Sequence, residues 1–371
     1  MKCGILTFHN AHNYGAVIQA YALKEIVKSF GINCEIINYR NENIDKRYDA
    51  IVKKKRIFIR TRDFRVFLDR YLWNRDVPMM QPCWTTQYSK FETFIDEVLL
   101  DGEPASCANP MENEFEKYDA IIVGSDQVWN KAITGGMDPV YYLDVPFKGI
   151  RISYAASTDF NSFFDDDIYL RETLGSFDSI SVREKRVASE INHRFGLTAY
   201  CCIDPSLLLD GSDYDCLIGD YKGRQKKFVF AYFVYEDKKL AEYASFIAVE
   251  LEIELVELHY YKRRWMKDNN QYADMGPVEF LWHIKNAEFV ITNSFHGTAL
   301  SIVYHKPFYC VYDANDRIDN ILECLDLKTR HRDHNVFLKV DDPINYNEVQ
   351  EKLVAYREYS VNFLKEGLQI K

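Results

Sequence analysis

Short apolar runs alternate along the chain with stretches whose apolar residues recur every three or four positions. Runs at 5–9, 34–39, 120–124, 152–156, 179–182 and 200–203 predict one set of strands. Runs at 228–235, 254–258, 289–292, 307–312 and 336–340 predict a second set. Helical stretches, rather than tight turns, separate them, which predicts parallel sheets with crossover helices. The first helix is the clearest: Ala16, Ala20, Leu23, Val27 and Phe30 keep helical spacing, and Gly31 follows as a stop signal. Residues 41–116 lack clear strands and read as a helical insertion. The turn cluster Asp210-Gly211-Ser212-Asp213 and the polar Tyr221-Lys222-Gly223-Arg224 mark a boundary, beyond which strand–helix alternation starts afresh. The division is therefore 1–212, 213–345 and a helical tail at 346–371 that would fold back over the first part. The length agrees: single cores stop growing near roughly 250–300 residues, and this chain has 371.

Composition narrows the class. Hydrophobic residues at 47% and charged residues at 27% describe a globular chain. No apolar run approaches the roughly 20 residues that cross a bilayer. Residues 1–6 move directly into a strand without the apolar region of a signal peptide, which leads us to expect a cytoplasmic protein. The nine cysteines are scattered, without a C-x-x-C pair, and read as small buried apolar residues rather than a metal or redox site. The formal net charge of −10 argues against a general nucleic-acid binder. One window opposes that sign. Residues 53–75 hold nine basic residues against Asp63 and Asp69, interleaved with Ile57, Phe64, Phe67, Leu68, Tyr71 and Leu72. This is either a solvated covering helix or a basic amphipathic helix that brings the protein to the inner face of a membrane.

Four segments at expected strand ends carry candidate chemistry, since ligands of open parallel sheets bind beyond the strands' carboxyl ends. In the first, from Phe8 to Ala16, Asn13 would cap the first helix and Gly15 would let a ligand approach the backbone. The second is Gly124-Ser125-Asp126-Gln127-Val128-Trp129-Asn130. There Asp126 could accept a hydroxyl proton, and Trp129 beside amides could hold a sugar or fill a core. In the third, Ser181-Val182-Arg183-Glu184, Arg183 could grip a phosphate or carboxylate, or pair with Glu184 or Glu190. The fourth runs Thr292-Asn293-Ser294-Phe295-His296-Gly297-Thr298, placing His296 where a helix opens and anions collect. Histidine as a residue type exchanges protons near neutral pH, which makes His296 an acid/base candidate.

Taken in order, N-Y-G-A-V-I-Q-A-Y-A-L from Asn13, I-V-G-S-D-Q-V-W-N ending at Asn130, S-V-R-E at Ser181 and T-N-S-F-H-G-T-A-L-S from Thr292 resemble the polysaccharide pyruvyl transferase family over about residues 3–330. The resemblance implies an α/β fold of two Rossmann-like domains with a central cleft, GT-B-like. It implies transfer of the enolpyruvyl group of phosphoenolpyruvate to two hydroxyls of a hexose. The product would be a pyruvate ketal on a capsular, exopolysaccharide or wall glycan precursor, which could be lipid-linked. By resemblance His296, Asp126 and Arg183 would be catalytic. Arg183, Ser294, Gly297, Thr298 and Arg317 would bind the donor in the second domain. Asn13, Tyr14, Gln127, Trp129 and Asn130 would face the cleft from the first, and we assign them to the acceptor by inference. No cofactor or metal is implied. Some members carry an arginine two residues before the histidine, where this chain has Ser294; Arg317, Arg330 or Lys306 would then supply the missing cation.

Two other functions fit the same expectations. A GT-B glycosyltransferase would need a carboxylate for nucleotide binding in the second domain, and Glu279 before Leu281-Trp282 is its candidate. A non-catalytic glycan- or anion-binding protein would keep the Trp129 platform without turnover. Proximity of Arg183 and His296 separates catalysis from mere binding.

Overall fold

The computed structural model describes residues 1–52, 63–102, 114–235, 238–259, 271–312, 315–333, 340 and 343–370. The first half contains β1 (Lys2–Leu6), α1 (Tyr14–Ser29), β2 (Asn33–Ile36), α2 (Glu42–Val52), α3 (Phe64–Phe94), β3 (Ala120–Val123), α4 (Lys131–Thr134), β4 (Ile150–Ala156), α5 (Phe160–Phe163), α6 (Asp167–Leu174), β5 (Ser179–Val182), α7 (Lys185–Phe195) and β6 (Ala199–Cys201). A 3-10 turn (Pro205–Leu207) and α8 (Gly211–Ile218) lead to β7 (Phe228–Tyr232), α9 (Lys238–Glu250), β8 (Glu254–Leu258), β9 (Gln271–Tyr272), α10 (Pro277–Asn286), β10 (Phe289–Thr292), α11 (Phe295–Val303), β11 (Phe308–Val311), α12 (Asp316–Cys324), β12 (His331–Arg332) and α13 (Tyr346–Gly367).

Among the described residues the strands form two parallel six-stranded sheets, ordered β2-β1-β3-β4-β5-β6 and β12-β11-β10-β7-β8-β9. This is the α/β class with two Rossmann-like halves that the sequence predicts. Each sheet reverses its winding direction once, between β1 and β3 and between β7 and β10. Strands β3, β7 and β10 are buried at every position, as expected of central parallel strands covered on both faces. The edge strand expected at 336–340 lies, except for Val340, outside the described residues; β12 is the observed edge. Of the basic window, residues 53–62 also lie outside them.

Helix α1 forms as its sequence dictates. Asn13 Oδ1 accepts from the amides of Gly15 and Ala16, and the chain leaves the helix through Gly31 at φ 78°. The two halves share one continuous core. It runs from Val17, Tyr21 and Leu23 of α1 to Phe280 of α10, Leu300 of α11 and Leu364 of α13. Helix α13 returns across the junction to the first sheet. Arg357 donates to the carbonyls of Leu207 at 2.5 Å and Leu209 at 2.6 Å and pairs with Asp210 at 2.5 Å. Ser360 Oγ accepts from Ile203 N at 3.2 Å, and Phe363 meets Tyr154 and Tyr200. Among the described residues no helix is long and apolar enough to cross a membrane.

Candidate active site

The site forms where carboxyl ends of the two sheets meet. Strand β5 ends at Val182, and Arg183 N still donates to Ala156 O at 3.1 Å, which fixes its backbone. Its guanidinium enters the junction with 4% exposure. There Nη2 lies 2.5 Å from Asp204 Oδ2 and 2.5 Å from Ser125 Oγ, while Cζ sits 5.1 Å from the Phe295 ring centroid. From the other half, β10 ends at Thr292 and Ser294 caps α11 by accepting from Gly297 N at 3.2 Å. His296, second in that helix, points Nε2 at the same Asp204 Oδ2 from 3.7 Å, an ion-pair distance rather than a hydrogen bond. Arg183 and His296 therefore converge on one carboxylate oxygen from opposite sheets.

Asp204 is held for this role. Its Oδ1 accepts from Ser206 N at 2.8 Å and Ser206 Oγ at 2.5 Å, leaving Oδ2 to face Arg183 and His296. Burial pushes the Asp204 carboxyl up, but the charges of Arg183 and His296 and the bonds from Ser206 outweigh it and hold the acid well below the usual carboxylate range. Nε and Nη1 of Arg183 have no hydrogen-bond partner among the described residues.

Glu184, beside Arg183, has the opposite character. Burial pushes its carboxyl up, against the pull of Arg183 and a hydrogen bond to Oε1 donated by Ser157. Its Oε2 has no partner among the described residues. Arg317, at the start of α12, is pulled down by burial and by the nearby Arg183, while Glu184 and Asp126 oppose the shift.

Two cavities open from this cluster. One, of about 940 Å³, is polar and lined by Gln127, Asn130, Asp159, Glu184, Tyr235 and Arg317 among others. The other, of about 390 Å³, runs under α13 between Arg183, Asp204, Phe295, Cys324 and Tyr356. Lys185, Arg317 and Asn320 line both. Tyr235 stands 78% exposed in the polar cavity. Asn293 fixes that loop, accepting from Val234 N at 2.7 Å and donating to Tyr235 O at 2.9 Å.

The structure brings Arg183 and His296 together on Asp204; Arg183 and Arg317 line the smaller cavity, Gln127, Asn130 and Arg317 line the polar one, and His296 lines neither. Asp126 stands nearby at φ 69°, with Oδ1 accepting from Gln127 N at 2.9 Å. Of the three replacement cations, Arg317 lines the cavities; neither Lys306 nor Arg330 does. Several expectations need correction. Trp129 is core: its indole donates to Tyr141 O at 2.8 Å and stacks between Tyr142 and Phe163, so no sugar reaches its faces. Tyr14 joins the halves, donating to Met275 O at 2.7 Å, accepting from Gln87 at 2.9 Å and stacking on Phe280. Asn13 Oδ1 is taken by its own helix. Ser294 Oγ and Gly297 N bond each other, and a Cβ on Gly297 would meet Thr292 Oγ1 at 2.4 Å. Thr298 Oγ1 is occupied by Ser294 O and Cys310 Sγ. Gly15 admits no ligand; the His296 ring fills its open side. Glu279, the carboxylate of the glycosyltransferase alternative, pairs with Lys90 at 2.5 Å and caps Gly276 N.

Sequence reasoning passed over three residues. Asp204 carried a signal, an acid between a strand-like run and Pro205-Ser206. Glu184 was visible only as a partner for Arg183. Tyr235 ended an apolar run and looked like strand.

No curated protein matches the sequence. Among solved structures, S. aureus MnaA with UDP is 12% identical at TM-score 0.48, covering 100% of this chain and 97% of that one. UDP-GlcNAc 2-epimerase from Neisseria meningitidis bound to UDP-GlcNAc is 11% identical at TM-score 0.47, covering 98% and 94%. Glycosyltransferase SsfS6 from Streptomyces sp. SF2575, complexed with thymidine diphosphate, is 11% identical at TM-score 0.45, covering 100% and 99%. These are likenesses of chain path alone. The model of the polysaccharide pyruvyl transferase family matches residues 13–315, a span that holds all four motifs and the Arg183–Asp204–His296 cluster. The chain belongs to the polysaccharide pyruvyl transferase family and is a transferase enzyme.

Proposed function

We propose that the protein moves the enolpyruvyl group of phosphoenolpyruvate onto two hydroxyls of a hexose in a glycan precursor, releasing phosphate. The observation that carries this reading is the meeting of Arg183 and His296 on Asp204 Oδ2, beside an acid pushed toward its neutral form. The donor is a small enol ether with a phosphate and a carboxylate. It belongs at the junction of the two cavities, where Arg317, Lys185 and the unpartnered nitrogens of Arg183 would face its charges. The acceptor hexose belongs in the polar cavity. Gln127, Asn130 and Asp159 would meet its hydroxyls and Tyr235 its apolar face, the role the sequence suggested for Trp129.

The steps balance on residues of this chain. Glu184 gives its proton to the methylene carbon, which becomes a methyl and leaves an oxocarbenium-like centre. One sugar hydroxyl attacks that centre and passes its proton to His296, whose Nε2 faces Asp204 Oδ2 at 3.7 Å. The phosphate leaves with that proton. The second hydroxyl closes the ketal and returns a proton to Glu184.

The test is phosphate release from phosphoenolpyruvate over a panel of free and glycan-linked hexoses, with UDP- and GDP-sugars as competing donors. Glu184→Gln and His296→Gln should each lower kcat about 10²–10⁴-fold in folded protein. Wild-type activity should fall as rising pH ionises Glu184, and Glu184→Gln should lose that limb. Turnover with a nucleotide sugar, or variants as active as wild type, would reject the reading.

A further inference from the structure

None of the first turns of helix α3 lines either cavity beside the cleft cluster, and large apolar residues there are exposed. Asp63 caps it by accepting from Arg65 N at 2.8 Å and Val66 N at 3.3 Å, so helical spacing holds from Phe64 onward. Phe64, Phe67, Leu68 and Tyr71 then fall on one face, with exposures of 74%, 40%, 41% and 51%. Farther along, Val77, Met80 and Trp84 bury the same helix in a small cluster with Ala273. The apolar stripe is thus presented outward by a helix anchored at its other end. A face of four large apolar side chains in water needs an occupant.

Charge identifies that occupant. Arg65, Arg70 and Arg75 lie on the same segment, and residues 53–62 add six more basic residues and no acid. Asp63 and Asp69 are the acids within 53–75, in a chain whose formal net charge is −10. Large apolar residues at helical spacing, flanked by concentrated positive charge, match a helix lying in the headgroup region of an anionic bilayer. There the apolar side chains enter the acyl boundary and the basic residues meet phosphates. Tyr71 suits that depth, with an apolar ring and a polar tip.

We propose that the Phe64–Tyr71 stripe docks this enzyme on an anionic lipid surface. The proposal stands independently of the donor and acceptor assigned above.

Co-sedimentation of the full chain with vesicles tests it, using phosphatidylcholine alone or mixed with phosphatidylglycerol, at low and high salt. Wild type should partition onto the anionic vesicles at low salt and leave them at high salt. Phe64→Glu with Tyr71→Glu, and separately Phe64→Ser with Tyr71→Ser, should reduce partition about tenfold or more, while thermal midpoint and phosphate release with a soluble acceptor stay unchanged. Three results would overturn the proposal: no partition of wild type, partition indifferent to lipid charge and salt, or variants that bind like wild type. A wild-type dimer that both variants dissociate in sedimentation equilibrium would assign the stripe to a second copy instead.

Discussion

Asp204 is the point at which Arg183 and His296 meet in the junction. It is buried, it bonds Arg183 directly, and it keeps His296 within electrostatic reach. Replacing it with Asn should leave the Arg183 charge buried and uncompensated, at about 3–5 kcal/mol of stability. The pH sign follows from its depressed acidity. A carboxyl held below its unfolded value, about 3.9 for Asp, contributes stability that is fully present above that pH. The contribution is lost as pH falls toward the folded value. Urea unfolding at neutral pH and below about pH 4 should show wild type losing stability steeply on acidification and Asp204→Asn, already weaker, losing less. Arg183 and His296 were legible in the sequence because each follows a buried run at the point where a strand gives way to a helix. Asp204 left only a local trace, since its partners lie 21 positions earlier and 92 later. Trp129 misled because an indole near amides reads alike in a sugar site and a core. Tyr141, Tyr142 and Phe163, which settle the matter, arrive only with tertiary packing.

At the scale of elements, two helix starts face each other. The opening turn of α1 supplies Gly15, and a Cβ there would stand 1.9 Å from His296 Nδ1 of α11. The backbone of one half thus forms the wall against which the other half's histidine rests. Gly15→Ala should fold, with overpacking at about 1–3 kcal/mol, and should lower phosphate release at least about tenfold by displacing the imidazole. Gly31→Ala is the control. It lies at the far end of the same helix, at φ 78° with open space around it, so it should lose about 1 kcal/mol and keep activity. Calorimetry and a phosphate assay on both proteins separate the two effects. Helix α1 was readable because its cap and stop are local. Helix α3 was less so: Pro78 and Pro82 signal breaks, yet it continues from Phe64 to Phe94. Long-range packing of Trp84, Phe91 and Phe94 holds it together.

For the whole molecule, two sheets do not make two independent bodies. The core is continuous across the junction, and Tyr14 joins both halves through Met275 O, Gln87 and the Phe280 ring. Urea unfolding should therefore be a single transition, with circular dichroism and Trp fluorescence coincident. Tyr14→Phe should shift that midpoint by an amount matching about 1–3 kcal/mol, from the buried partners left unpaired. Two separate transitions would contradict a shared core. Helix α13 extends the same dependence in time. It comes after the second sheet in chain order yet covers β4 and the turn following β6. During synthesis that flank of the first half stays bare until the last helix has been translated, so the first sheet cannot finish its packing before the rest of the chain emerges.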